Sequence, residues 1–210
     1  VLGGEGADTI SGGAGNDSIL GGNGADSISA DTGADTVFGG DDNDTILAGG
    51  AAILSGDAGA DSILAGGGAD TIDGGEGADT IDGGVGNDLI LGGNGADLLN
   101  AGSAHGADTI RGGDGNDTII VPSDFAHDLL YGDAGADSIL GGDANETIDG
   151  GEGDDTINAA SGHNSVSGGG GADSLVAHGN HDTIDGGEGD DTISPGGGHN
   201  SVSGGGGADS

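Results

Sequence analysis

Gly74–Asn100 reads GGEGADTID, GGVGNDLIL, GGNGADLLN: three nine-residue units on one skeleton. Each has two glycines, a variable residue, a third glycine, a variable residue, an aspartate, and a three-residue segment with an aliphatic centre. We number these positions one to nine, so that position six is the acidic anchor and position eight the aliphatic one. Outward from this stretch the unit continues in both directions. Position eight runs from Ile10, Ile19 and Ile28 to Ile184, Ile193 and Val202, and all 22 occurrences are Ile, Leu or Val. One inward aliphatic between two outward residues is the alternation of a very short strand. The glycines before it supply the positive-φ turn that other residues resist.

Such a strand buries about one side chain, worth about 1.5–3 kcal/mol, whereas ordering nine residues costs roughly 1–2 kcal/mol each. Stacking and something else must supply the difference. The composition says what kind of thing. The 210 residues include 56 Gly and 38 acidic side chains, a single Lys or Arg (Arg111), six His, no Cys, and a formal charge of -37. Ile, Leu, Val and Phe fill just under a fifth of the chain, the usual mark of disorder. The chain either stays unfolded or folds when a cation neutralises its carboxylates. Nucleic acid and anionic membrane are excluded as direct partners by repulsion, and disulfides by the absence of cysteine. No stretch has membrane-spanning length, and no signal peptide opens the chain. Val1 and Ser210 fall mid-pattern, so the chain reads as one roll, 1–210, excerpted from a longer protein.

Two units per eighteen-residue coil would place equivalent residues in register at about 4.8 Å, and departures from the repeat segregate accordingly. One row of turns ends in Asp8, Asp26, Asp44, Asp61, Asp79, Asp97, Asp117, Asp137, Asp155, Asp173, Asp191 and Asp209, without exception. The other ends in Asp17, Asp35, Ala52, Asp70, Asp88, Asp108, Asp128, Glu146, Asn164, Asp182 and Asn200. This second row carries every anchor substitution, a one-residue deletion before Ala52, and insertions around Ser103 to His105 and Ser123 to Phe125. It also holds Pro122, Pro195 and all the histidines. The expected fold is all-β: a right-handed parallel β-roll with one strict and one relaxed edge. Gly150–Ser174 and Gly186–Ser210 are near-duplicates offset by 36 residues, two whole coils, so the roll has grown by complete coils.

GGxGxD followed by any residue, an aliphatic and any residue resembles the RTX nonapeptide repeat. Matches include GGEGADTID (Gly74 to Asp82), GGNGADLLN (Gly92 to Asn100), GGDGNDTII (Gly112 to Ile120) and GGEGDDTIN (Gly150 to Asn158). The resemblance covers essentially the whole chain. It implies multiple Ca²⁺ ions trapped between turns of adjacent coils by the position-six carboxylates and backbone carbonyls. Carried over, the ligands are the twelve strict aspartates, with carbonyls such as those of Gly74, Glu76, Gly92 and Asn94, giving up to eleven sites. Fewer are implied at Asp17, Asp35, Asp70, Asp88, Asp108, Asp128 and Asp182, where Ala52 removes a ligand and Asn164 and Asn200 remove charge. Oxygen donors in flexible geometry suit Ca²⁺ better than Mg²⁺. The resemblance further implies bacterial export with the chain unfolded in the cytosol and folding outside the cell. The partners are then the flanking domains of a larger exported protein, at or beyond the cell surface. The alternative is a Ca²⁺-dependent module that binds carbohydrate, a bacterial surface polysaccharide or a host surface.

Weaker signals lie beside this one. His163, His181 and His199 sit eighteen apart at position five, where imidazoles could hold Zn²⁺, Ni²⁺ or Cu²⁺ or simply suit an exposed turn. Ser and Thr at position seven form ranks that could order water, although position nine varies too much for an ice-binding face. GGGGAD at Gly168–Asp173 is no phosphate loop, having neither lysine nor a helix to follow. Paired carboxylates such as Asp190 and Asp191 recur every coil without a cleft, so no catalytic residue is assigned and the chain reads as a non-enzyme. Asn-x-Ser/Thr triplets at Asn16, Asn43, Asn116 and Asn145 fall out of the repeat itself. The insertion with Pro122 and Phe125, near Tyr131, is the candidate contact surface.

Overall fold

The computed structural model describes residues 1–102, 106–122, 126–179 and 181–210. Among them, 23 strands form two all-parallel sheets of twelve and eleven strands, in which sequential strands alternate between sheets. The fold is a parallel β-solenoid with two nine-residue units per coil. Register follows the period: Ile72 pairs with Ile90 and Ile81 with Leu99, each eighteen residues on. Where the relaxed row loses a residue the offset falls to 17, as in Val37 with Leu54. Past the insertions it rises to 20, as in Ile110 with Leu130. The strand pairing absorbs each change because the extra or missing residue lies in a turn. Both inserted segments, Ser103–His105 and Ser123–Phe125, lie outside the described residues, and so does the Phe125 part of the expected contact surface.

The two sheets are not alike. Strands following a strict anchor are short, such as Thr80–Asp82 and Leu98–Asn100. Those following a relaxed anchor, apart from the last (Ser201–Ser203), run six residues, such as Thr71–Glu76 and Leu89–Asn94, and carry the ladder through the first three positions of the next strict turn. In relaxed turns the ladder reaches those positions only at Ala30–Asp31 and Ala48, with an irregular register, and otherwise leaves at most isolated bridges such as Gly67 with Val85. The strict edge is therefore built into a sheet, while the relaxed edge is loop.

Position eight forms the core. Every one of these aliphatics is buried except in the last coil, where Ile193 is half-buried and Val202 exposed. A second, smaller column was not anticipated from the repeat. Position one of relaxed turns is Ala or Val at Ala30, Ala48, Ala65, Ala101, Val121, Ala159 and Ala177, and all of these are buried. In strict turns the same position is always glycine, from Gly3 to Gly204. The difference is steric. A Cβ on Gly74 would lie 2.5 Å from Asp79 Oδ2 and 2.5 Å from the Gly92 carbonyl oxygen, inside any real contact distance. On Gly83 in the relaxed row the corresponding separations, 3.0 Å to Asp88 Oδ2 and 2.9 Å to the Ala101 carbonyl, are still tight but wider by a few tenths of an ångström. That extra room lets a methyl enter the relaxed turns and fill the core there.

Candidate metal centre

Positive-φ residues at positions two and four, mostly glycines such as Gly75 and Gly77 but aspartate at Asp42, Asp57 and Asp133, fold the turns back on themselves. The anchor side chain is thereby swung under the turn rather than out to solvent. Asp79, Asp97, Asp117 and Asp155 are 1–2 % exposed. One oxygen of each carboxylate ties the coils together, because Oδ1 accepts the backbone N–H of the anchor one coil earlier. Asp61 N–H donates to Asp79 Oδ1 at 2.8 Å, and Asp79 N–H to Asp97 Oδ1 at 2.8 Å. All eleven gaps of the strict row are bridged this way, at 2.7–3.2 Å. A second ladder runs the opposite way at position five, where Asn43, Asn116 and Asp190 side chains accept from Ala60, Ala136 and Ala208.

The other carboxylate oxygen has no donor. Oδ2 of Asp8, Asp26, Asp44, Asp61, Asp79, Asp97, Asp117, Asp137, Asp155, Asp173 and Asp191 is buried without a hydrogen-bond partner, and so is that of Asp17, Asp35, Asp70, Asp88 and Asp182 in the relaxed row. A buried charged oxygen left unmatched is costly. What surrounds it is seen where nature has replaced aspartate by asparagine. Asn164 keeps the coil-to-coil bond, Glu146 N–H to Oδ1 at 2.9 Å, while its amide nitrogen donates to the carbonyls of Ala159 at 3.0 Å and Ser161 at 3.2 Å. Asn200 does the same with Pro195 and Gly197, at 2.6 and 3.1 Å. The acceptors are positions one and three of the turn. With Oδ1 making the same bond in both turn types, the Oδ2 of an aspartate turn falls where the amide donates, among oxygens and without a hydrogen to offer. Such a cluster calls for a cation.

The titration of the anchors has the same cause. Burial above all, helped by the like charges of neighbouring aspartates, pushes Asp44, Asp79, Asp88 and Asp117 up to about 6 and Asp155 up to about 7. Asp61, Asp70, Asp97, Asp137 and Asp173 move in the same direction, again mainly through burial.

The donor set suits a hard, oxygen-seeking ion. Among the described residues no three His, Cys, Asp or Glu side chains converge on one point, so an ion between coils must take much of its shell from carbonyls. Two of the carbonyls that the resemblance implies have acceptor capacity to spare. Those of Glu76 and Asn94 each accept one bond, from Gly59 and Gly77 at 2.8 and 2.7 Å, and retain a second lone pair. At the C-terminal end Asp209 is exposed, and its Oδ1 accepts from Asp191 at 3.2 Å. In the relaxed row Asp35, Asp70, Asp88, Asp108, Asp128 and Asp182 are buried, and Asp17 is half-buried at the start. Ala52, which is also buried, offers Asp35 no carboxylate, so that gap lacks the side-chain bridge.

The histidine row stacks in a different sense. The His163 and His181 rings lie parallel, with centroids 5.2 Å apart and planes 7° from one another, and His181 and His199 are tilted at 5.7 Å. Parallel rings place their nitrogens side by side rather than aimed at a shared ion, which would need each within about 2.1 Å. Elsewhere, Arg111 donates to Asp133 at 2.7 Å and lies 4.3 Å over the Tyr131 ring, at one end of a groove lined also by Asp149, Glu152 and Glu188.

Sequence comparison agrees with the geometry. The family described as RTX calcium-binding nonapeptide repeat (4 copies) matches residues 2–37, 20–52, 48–81, 73–105, 106–120, 124–157, 140–175, 158–193 and 176–210. No curated protein matches the chain. Modules of that family are structural and non-catalytic, bind Ca²⁺ through these repeats, and generally belong to larger secreted proteins. Among the described residues no helix is long and apolar enough to cross a membrane. With nine-residue units coiling two by two, stacked aspartates under every strict turn, and family matches over nearly its whole length, this chain belongs to the RTX calcium-binding nonapeptide repeat family and is a calcium-binding structural repeat module.

Proposed function

We propose that Ca²⁺ ions staple consecutive strict turns, up to one per gap from Asp8 to Asp209, and that the roll folds when it meets calcium outside the cell to support a larger exported protein. The observation that carries this reading is the file of eleven buried Oδ2 atoms without donors. Stacked carboxylates in that state repel one another, and ion binding supplies the missing folding energy directly. In the low-calcium interior the chain then stays unfolded and exportable. The relaxed edge takes fewer ions, its turns carrying Ala52, Glu146, Asn164 and Asn200 at the anchor.

The test is far-ultraviolet circular dichroism with a calcium titration followed by calorimetry. Millimolar Ca²⁺ is expected to raise the β signal cooperatively, and Mg²⁺ to do so weakly. Spectra that coincide in chelator and in calcium would end this reading. A second reading, attachment to a surface carbohydrate, draws on the groove of Tyr131, Asp149, Glu152 and Glu188, where an aromatic ring sits beside carboxylates. Its signature is a glycan-array signal lost on chelation.

A further inference from the structure

The two asparagine anchors do more than lack a charge. In both turns the amide orientation is fixed by its neighbours: Oδ1 must accept, from Glu146 N–H or Asp182 N–H, so Nδ2 must be the atom facing the carbonyls. Its two hydrogens go to positions one and three, Ala159 and Ser161 in one turn, Pro195 and Gly197 in the other. The two accepting segments differ in side chain, Ala159 against Pro195 and Ser161 against Gly197, while the bonds are the same. Main-chain oxygens are all that the amide uses, so these substitutions leave it intact.

We infer that Asn164 and Asn200 are amide staples, closing their turns with two N–H···O bonds where an aspartate turn needs a metal ion, so that along the relaxed edge of the last coils only the intervening Asp182 turn still calls for calcium. This rests on the calcium reading and assigns its limits: the turns 159–164 and 195–200 are not ion sites. An amide hydrogen pair and a cation answer the same need, positive charge among converging oxygens, but the amide is covalently present in every condition. Alanine at the anchor would answer neither need, and aspartate would restore the demand for an ion. The C-terminal coils therefore depend less on calcium along one edge than the coils around Asp70–Asp108, where both edges end in aspartate.

Four full-length chains test this: wild type, Asn164→Asp/Asn200→Asp, Asn164→Ala/Asn200→Ala, and Asn87→Asp/Asn116→Asp. The last adds the same charge at exposed position five. Equilibrium dialysis is expected to find about one to two further Ca²⁺ per chain in the anchor Asp variant and none in the Ala or position-five variants. At saturating calcium the Ala variant should melt several degrees lower, having lost both the staple and the coil-to-coil bond, and the anchor Asp variant should melt near wild type. As free calcium is lowered, the anchor Asp variant should unfold first in residues 159–200 by hydrogen exchange. An anchor Asp variant with the wild-type ion count, or a gain of ions in the position-five control equal to that at the anchors, would overturn the assignment. If wild type itself takes up no calcium, the calcium reading fails. The melt of the Ala variant against wild type still judges the staple, which an unchanged transition would rule out.

Discussion

The strict and relaxed edges of this roll are made from one nine-residue unit and tolerate different things. Along the strict edge every turn but the two terminal ones begins inside a six-residue strand, its first glycine pressed between an anchor oxygen and the next coil's carbonyl. Neither that glycine nor the aspartate ever changes. Along the relaxed edge the turn leaves the sheet and opens by a few tenths of an ångström at position one. There alanine, valine and proline replace glycine, anchors become Ala, Glu or Asn, and residues are inserted or lost. Tolerance follows from what the backbone is bonded to. A turn held in a ladder cannot change length without shifting register, which would turn side chains to the wrong face, whereas a free loop can.

The broadest way to sharpen this contrast is to change pH without metal. The anchors most raised, Asp44, Asp79, Asp117 and Asp155, are on the strict edge, with Asp88 on the other. Carboxyls that hold protons more tightly when folded favour folding fully below the ordinary aspartate range, near about 4, and that support is lost as pH rises through about 6 to 7. Metal-free chain moved from pH 7.5 to 5 should gain β signal. Calcium should bind more weakly over the same interval as protons compete for the strict-edge carboxylates. A metal-free spectrum indifferent to this change would mean the stacked carboxylates do not govern folding.

Single anchors come next. Asp97→Ala deprives Asp79 N–H of its acceptor and should cost about 2 kcal/mol or more at saturating calcium, together with the loss of bound ion. Asp88→Ala, on the edge that already accommodates Ala52, should cost less, and denaturant melts of the two would break the comparison if their order were reversed. The smallest difference lies at the glycines. Gly74→Ala should destabilise by about 1–3 kcal/mol through overpacking. Gly83→Ala should cost less than Gly74→Ala, because its neighbours need give only a few tenths of an ångström and sister turns carry the same methyl in the core. Equal thermal shifts for the pair would show that room at position one does not distinguish the edges.

Much of this molecule was legible in its residues alone. The nine-residue period, the aliphatic at every position eight and the segregation of irregularities by parity determined a parallel solenoid of eighteen-residue coils with two unequal edges. Repetition makes each weak local signal count many times over. The strict anchors were likewise legible as a set, because nothing interrupts them between Asp8 and Asp209.

Tertiary structure alone decided how the two oxygens of each anchor are used. That Oδ1 bridges coils while Oδ2 is left without a donor depends on the 18-residue neighbour, which no local pattern specifies. Asn164 and Asn200 read in sequence as lost charge, and became donors only once their carbonyl partners were in place. The alanine column was hidden for the same reason, since Ala30 or Ala65 at a turn start looks like drift until the space beside it is known. Period and polarity follow from local chemistry, but room and hydrogen-bond direction exist only between coils.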